Sequence, residues 1–301
     1  MGRDHDHAKG SDHGKAFAIS VALNVVFVVV EVVYGVLSGS VALIADAAHN
    51  LSDVLGLVLA WVAMRLAARP PSDLRTYGWR KSTVLAAFLN AVLIMGAVGA
   101  VTWEAIGRIG SESPIDGWTM IIVAAVGVVI NTASAGLFFI DRKSDANIRG
   151  AFLHLAADAA VSVGVVVAGA LVLWTGWDWI DPATSLLISA VIVVGTWGLL
   201  RDSTNLLLDA VPDDIDLEEV RNQIQSIDSV VGVHDLHVWA MSTREPALTA
   251  HVVYEPSASS ETVLCAMEEM LHRRFGFEHT TLQVEPEGVA SDCKQGRDGN
   301  V

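Results

Sequence analysis

Residues 41–64 read VALIADAAHNLSDVLGLVLAWVAM, an apolar stretch with His49 and Asp53 near its middle. A helix that crosses the hydrocarbon core of a bilayer needs about 20 such residues. Five further stretches have comparable length and character. The predicted spans are Ala16–Leu37, Val41–Met64, Ser82–Gly107, Gly117–Ile140, Gly150–Thr175 and Pro182–Leu200. The sequence therefore predicts an α-helical integral membrane protein with six transmembrane helices.

Composition agrees with a chain that lies largely in a lipid bilayer. Of the 301 residues, 52% are hydrophobic and only 18% are charged, whereas about 25% charged is usual for soluble domains. The formal net charge is −15, and such a field repels nucleic acid and attracts cations. The two cysteines, Cys265 and Cys293, are too few for a disulfide framework or a four-cysteine zinc site.

Basic residues collect in alternate loops, which predicts the orientation in the membrane. They are Arg65, Arg69, Arg75, Arg80 and Lys81 before the third span, Arg142, Lys143 and Arg149 before the fifth, and Arg201 after the sixth. Cytoplasmic loops carry an excess of Lys and Arg. We therefore expect a multi-pass protein of the cell inner membrane with both termini in the cytoplasm.

The last third of the chain alternates in the manner of a small cytoplasmic domain. The predicted order is helix, strand, strand, helix, strand, and the stretches are Ile215–Ile227, Val230–Ala240, Leu248–Tyr254, Glu261–Phe275 and Thr281–Val284. This order suits an α+β ferredoxin-like domain. The predicted parts are a flexible His/Asp-rich tail at 1–15, a transmembrane domain at 16–208, the cytoplasmic domain at 209–288 and a flexible tail at 289–301.

Two of the predicted spans contain the same His-x-x-x-Asp spacing. His49 and Asp53 lie in the second span, and His154 and Asp158 lie in the fifth. A spacing of four residues puts both side chains on one helix face, and ionisable groups inside a membrane cost about 3 kcal/mol each. Two imidazoles and two carboxylates form a ligand set that tetrahedral Zn²⁺ accepts. Hydrogen bonds from each histidine to an aspartate, without metal, remain an alternative.

The sequence resembles the cation diffusion facilitator (CDF) family, and in particular the zinc/proton antiporters of its bacterial cobalt-zinc-cadmium resistance branch. The motifs that carry the resemblance are the SVALIADAAHNLSD run at 40–53, Tyr77-Gly-Trp-Arg80, Asn90-Ala91, His154-x-x-x-Asp158, Asp181-Pro182 and the VHDLHVW run at 233–239. The resemblance implies that His49, Asp53, His154 and Asp158 form the transport site, that Zn²⁺ is preferred, and that the protein is a homodimer. Cd²⁺, Co²⁺ and Ni²⁺ remain open, because ligand type alone does not fix a metal.

The same resemblance implies a metal site in the cytoplasmic domain. Its ligands would be His234, His251 and Glu285, while Gln283 stands where some relatives have a further histidine. His237 and His279 are the candidates to replace that ligand, and surface histidines without metal are the alternative. Because His234 and His237 are three apart on a predicted strand, we expect them on opposite faces unless the strand is distorted.

The ligand set predicts the mechanism. Metal requires neutral imidazole and ionised carboxylate, so protons and metal compete for one site. We therefore expect a secondary active transporter, not an enzyme, that exports Zn²⁺ in exchange for protons by alternating access. A metal-gated channel, a membrane zinc sensor or a metal-dependent membrane enzyme would be the rival classes. Glu31, also inside a span, would suit a proton path, but the sequence identifies no partner for it.

Overall fold

The structure is a computed structural model and describes residues 6–110, 115–139 and 146–288. Six long helices occupy the first two thirds of the described chain. They are α1 (Asp6–Ser38), α2 (Val41–Ala67), α3 (Ser82–Arg108), α4 (Gly117–Phe138), α5 (Ala146–Thr175) and α6 (Ile180–Leu207). Helices α2 to α6 are long and apolar enough to cross a membrane, and α1 is apolar over Ala22–Ser38. The predicted six-span helical fold is confirmed.

Several helices extend beyond the apolar stretches that predicted them. Helix α1 begins at Asp6, so residues 6–15, which were predicted to be a flexible tail, have helical backbone. Residues 1–5 and 289–301 lie outside the described residues. Backbone hydrogen bonds continue into polar sequence where hydropathy has already fallen, so hydropathy marks the membrane part of a helix better than its ends.

The chain forms two compact units, the first made of the residues up to Val58 together with Asn90–Gly198. Its core takes one or more buried apolar side chains from each of the six helices. Helices α4 and α5 approach closely at Gly169, where an added Cβ would lie 2.8 Å from Ile121 and 3.3 Å from the carbonyl oxygen of Gly117. This close packing holds α5, with its His-x-x-x-Asp motif, inside the bundle.

The first turn of α6 is tied to the start of α2. The buried carboxylate of Asp181 accepts hydrogen bonds from Ser40 Oγ at 2.5 Å, from the backbone nitrogen of Val41 at 2.7 Å and from that of Ala42 at 3.3 Å. The first N–H groups of a helix have no partner within the helix. Asp181 therefore acts as an N-cap for α2, supplied by a different helix.

The second unit joins Leu59–Leu89 to the chain from Leu199 onward. Its elements after α6 are α7 (Leu217–Gln225), β1 (Val230–Ser242), β2 (Glu245–Tyr254), α8 (Ser260–Phe275) and β3 (His279–Pro286). The three-stranded sheet has the order β1-β2-β3, with β1 antiparallel and β3 parallel to β2. Buried side chains of α7 and α8 pack on this sheet. The predicted C-terminal α+β domain is confirmed in order and type.

The loop that precedes α3 is bound to the β1–β2 hairpin. Lys81 Nζ contacts the carboxylate of Asp209 and donates to the carbonyl oxygen of Ala240 at 3.1 Å. The Arg80 guanidinium lies 3.4 Å from Glu245. These basic residues, which helped to predict the orientation, therefore also have partners within the chain.

Candidate metal centre

Helices α2 and α5 bring all four residues of the two His-x-x-x-Asp motifs together. His49 Nε2 lies 3.1 Å from Asp158 Oδ1, and His154 Nε2 lies 3.4 Å from Asp53 Oδ2. Within each helix the His-to-Asp distances are 3.9 Å and 3.6 Å. Each histidine thus contacts the aspartate of its own helix and the aspartate of the other helix.

These spacings are of the size found between the ligands of a small coordination tetrahedron. Ligand atoms at about 2.1 Å from Zn²⁺ lie about 3.4 Å from one another in a tetrahedron. The four His-to-Asp distances run from 3.1 to 3.9 Å, but they use both ring nitrogens of His49 and both oxygens of Asp158, so the side chains must move before all four residues can share one ion. With one ligand atom taken from each residue, His49, Asp53 and Asp158 lie within 4.8 Å of one another, and His154 is not part of this set. The same distances also allow direct His–Asp hydrogen bonds.

Exposure differs across the site. The Asp158 side chain is 5% exposed and that of His154 is 48% exposed, with His49 and Asp53 in between. His154 lies in the third turn of α5, towards the end of that helix that begins at Ala146. The site therefore has a buried wall at Asp158 and an accessible side at His154, by which an ion could enter.

A second set of buried polar groups lies beside this site. Glu31 on α1 accepts a hydrogen bond from Asn50 Nδ2 at 2.9 Å, and Asp46 on α2 accepts one from Ser162 Oγ on α5 at 3.1 Å. The partner that the sequence did not reveal for Glu31 is thus Asn50, the residue after His49. An Asn next to a motif histidine is the only hint the sequence held.

In the C-terminal domain, His234, His251 and Glu285 also converge. His234 and His251 are paired across β1 and β2, and residues paired in this way share a sheet face. His251 Nδ1 lies 3.1 Å from Glu285 Oε1, and His234 Nε2 lies 3.8 Å from Glu285 Oε2. Both ring nitrogens of His234 and Glu285 Oε2 are buried without a hydrogen-bond partner among the described residues. Unsatisfied buried polar atoms of this kind fit a metal ligand set.

His234 and His237 are in the case that the sequence analysis set apart, in which the strand is distorted. A register shift between them pairs His234 with His251 but His237 with Thr249, so both lie on one face. The shift accompanies a positive φ of 50° at Asp235. This is the strand distortion that reverses the alternation.

Asp235 is a member of this cluster that the sequence analysis missed. Its carboxylate lies 3.0 Å from His237 Nε2 and 3.7 Å from His251 Nε2. Of the two histidines considered as replacements near Gln283, His237 joins the cluster through Asp235, while His279 packs edge-on against Tyr77 with ring centroids 5.3 Å apart. Gln283 itself donates to Glu285 Oε1 at 2.6 Å.

Comparison with known proteins assigns this arrangement to a family. Residues 17–208 match the cation efflux transmembrane domain, and residues 212–287 match the cytoplasmic domain of cation efflux proteins. The chain belongs to the cation efflux family. The model for the second match is named as a dimer domain, which supports the expectation that the family's cytoplasmic domain pairs.

Members of the cation efflux family with assigned names are similar over almost the whole chain. The cation efflux system protein CzcD of Alcaligenes sp. is 39% identical over 94% of this chain and 90% of its own length. The zinc transporter ZitB of Escherichia coli is 35% identical over 93% and 92%. The cadmium, cobalt and zinc/H⁺-K⁺ antiporter of Bacillus subtilis is 30% identical over 96% and 94%.

A solved structure from the family is also similar in sequence. It is the metal-bound C-terminal domain of the CzcD transporter from Cupriavidus metallidurans, with 39% identity, 24% of this chain and 99% of that chain covered, and a TM-score of 0.23.

Proposed function

We propose that the protein exports Zn²⁺ from the cytoplasm in exchange for protons, by alternating access to a site formed by His49, Asp53, His154 and Asp158. Divalent cation efflux itself follows from membership of the family. The observation that carries the finer proposal is the convergence of two matched motifs from α2 and α5, with His-to-Asp distances of 3.1 to 3.9 Å.

The ligand set favours Zn²⁺ over Ca²⁺ and Mg²⁺. Two imidazole nitrogens and two carboxylate oxygens suit tetrahedral Zn²⁺, and a membrane interior offers no water to complete the larger oxygen shells that Ca²⁺ and Mg²⁺ require. Relatives are named for zinc, cadmium and cobalt. Cd²⁺, Co²⁺ and Ni²⁺ are therefore the competing substrates to test.

Proton coupling follows from the contacts between the ligands. His49 lies 3.1 Å from Asp158, so a proton can occupy a hydrogen bond between them when metal is absent. Metal and proton then exclude each other at the same atoms. Protons entering from outside would displace Zn²⁺, and cytoplasmic Zn²⁺ would displace the protons inward.

We place the protein in the inner membrane with both termini in the cytoplasm, with a transmembrane domain at 16–208 and a cytoplasmic domain at 209–288. The cytoplasmic domains of two copies pair into a homodimer, and Zn²⁺ bound at His234, His251 and Glu285 acts as a regulatory ligand. The last point is supported by the buried unsatisfied ring nitrogens of His234.

The central test is metal flux into sealed vesicles that contain the purified full-length protein. Asp158→Asn keeps the side-chain shape but removes the charge, and Asp73→Asn makes the same change at an exposed loop residue. We expect wild type and Asp73→Asn to accumulate Zn²⁺ at a rate set by an imposed pH gradient, and Asp158→Asn to show no such flux. Cd²⁺, Co²⁺, Ni²⁺ and Mn²⁺ are assayed separately to rank the substrates.

The opposite results separate the rival classes. Zn²⁺ binding without gradient-driven flux would favour a sensor or an enzyme, and flux that does not saturate with Zn²⁺ would favour a channel. Full Zn²⁺ flux in Asp158→Asn would remove this residue from the transport site.

The cytoplasmic site has its own test in the Asp158→Asn background, where the transport site is impaired. Titration calorimetry with Zn²⁺ should find a binding event that His251→Ala abolishes and that His272→Ala, a change on α8 outside the cluster, leaves intact. Equal Zn²⁺ binding by both variants would contradict the assignment.

A further inference from the structure

Glu31 and Asp46 form a pair of buried carboxyls beside the metal site. We propose that this pair shares a single proton and that this proton is one of those exchanged against the metal. The inference rests on the antiport proposed above, and it adds a proton site that is separate from the metal ligands.

Each carboxyl of the pair has one oxygen that accepts a hydrogen bond and one oxygen that is left to interact with the other carboxyl. Both residues are 0% exposed. Asn50 donates to Glu31 Oε2 and Ser162 donates to Asp46 Oδ2. The remaining oxygens, Glu31 Oε1 and Asp46 Oδ1, have no hydrogen-bond partner among the described residues. Asp46 lies four residues before Asn50, on the same face of α2, and this places it beside Glu31. One proton between them would satisfy both oxygens.

Among the described residues, no lysine or arginine acts on the pair to neutralise two negative charges. The ionisable groups that face it are His49, one turn further along α2, and Asp158 on α5. Helix α4, which packs on α1, has no ionisable residue from Gly117 to Phe138. Two carboxylates in contact in such a site cannot both ionise at low cost, so they titrate as a unit that retains one proton.

The position of the pair couples it to metal binding. Asp46 precedes His49 by three residues, about 4.5 Å along the axis of α2, and the donor to Glu31 is the residue that follows His49. A divalent charge one helix turn away disfavours a proton on the pair through direct repulsion. We therefore infer that Zn²⁺ binding expels the shared proton and leaves two carboxylates, which the metal charge then stabilises.

The direction of proton movement follows from the same arrangement. On α2 the pair lies between the metal ligands and the helix start at Val41, the end predicted to face outward. With the metal site empty and open outward, the pair takes up a proton from outside. When the site faces the cytoplasm, Zn²⁺ enters and this proton leaves to the cytoplasm, so each proton gained outside is released inside.

The test separates net exchange from metal-for-metal exchange in vesicles. Net Zn²⁺ flux driven by a pH gradient needs the protonated carrier, whereas equilibrium exchange of labelled for unlabelled Zn²⁺ at equal pH needs only the metal site and its alternating access. We use Glu31→Gln and Asp46→Asn, because one remaining carboxylate can stay ionised while it accepts a hydrogen bond from the new amide. Glu104→Gln, at an exposed residue of α3, is the matched control.

We expect Glu31→Gln and Asp46→Asn to lose the pH-gradient-driven flux and to retain labelled-Zn²⁺ exchange, while Glu104→Gln retains both. Calorimetry of Zn²⁺ binding in buffers of different ionisation enthalpy should show about one fewer proton released per metal in the pair variants than in wild type. The calorimetric measurement needs only folded protein in detergent, so it decides the proposal even where a variant reconstitutes poorly.

Failures of the two proposals give different results. Wild type without gradient-driven flux would overturn antiport itself. If both pair variants keep the gradient-driven flux of wild type and release as many protons per metal, the shared-proton proposal alone is overturned. If the pair variants lose labelled-Zn²⁺ exchange as well as net flux, Glu31 and Asp46 have a structural role, and the proposal is also overturned.

Discussion

Replacing Asp181 with asparagine should weaken the join between α6 and α2. The carboxylate accepts three hydrogen bonds, with Ser40 Oγ and Ala42 N on Oδ1 and Val41 N on Oδ2. Asparagine keeps one oxygen and puts an NH₂ group in place of the other. In its better orientation it retains two donors and leaves the Val41 N–H facing the NH₂ group.

The size of the effect can be estimated from these bonds. A buried donor left without a partner costs about 1–3 kcal/mol, and each remaining bond loses about 1 kcal/mol when its acceptor becomes neutral. Removing a buried charge returns part of this, because the carboxylate gave up its hydration on folding. We expect a net loss of about 2 kcal/mol in the free energy of unfolding.

Unfolding of the purified protein in detergent by increasing dodecyl sulfate, followed by circular dichroism, measures this loss. Asp178→Asn, in the turn that precedes α6, is the matched control, because it makes the same chemical change at a partly exposed side chain. An Asp181→Asn variant as stable as Asp178→Asn would refute the reasoning.

Two further changes test packing and capping. In Gly127→Ala the new Cβ would lie 2.6 Å from the buried ring of Phe27, so we expect the free energy of unfolding to fall by about 1–3 kcal/mol in the same assay. In the control Gly136→Ala, in the same helix, the new Cβ has no atom within 4 Å, and the variant should be as stable as wild type. Asp116→Ala removes the N-cap of α4 and should cost at most about 1 kcal/mol, because the carboxylate is exposed. Hydrogen bonds from the side chain and backbone of Thr119 lower the pKa of Asp116 from 3.8. The stabilisation that Asp116 gives is therefore present above about pH 4 and disappears as the pH falls below that value, so the variant and wild type should become equally stable in acid. A difference in stability that persists at pH 2 would contradict this cause.

The spans and the pairing of the motifs were accessible from sequence for a simple physical reason. A bilayer imposes length and apolarity on a helix, and His49, Asp53, His154 and Asp158 were conspicuous because ionisable groups are rare in such segments. Spacing fixed the helix face of each pair but said nothing about the distance between helices. The 3.1 Å contact of His49 with Asp158 needed the fold.

The residues that sequence reasoning missed depend on local distortion or on contacts distant in the chain. Asp235 joins His237 and His251 because its positive φ shifts the strand register, and strand periodicity assumes that no such shift occurs. Glu31 on α1 accepts a hydrogen bond from Asn50 on α2. Neither of these contacts follows from a spacing rule, so neither could be predicted from sequence.

The contacts between the loop before α3 and the β1–β2 hairpin limit how the protein can be divided. A chain cut before Asp209 would take from Lys81 both the carboxylate of Asp209 and the carbonyl of Ala240, and Thr83 Oγ1 would lose the N–H of Thr243. A chain truncated there would therefore leave Lys81 and Thr83, at the start of its third helix, without these partners. The sequence boundary at 208–209 is thus a poor place to separate two folding units.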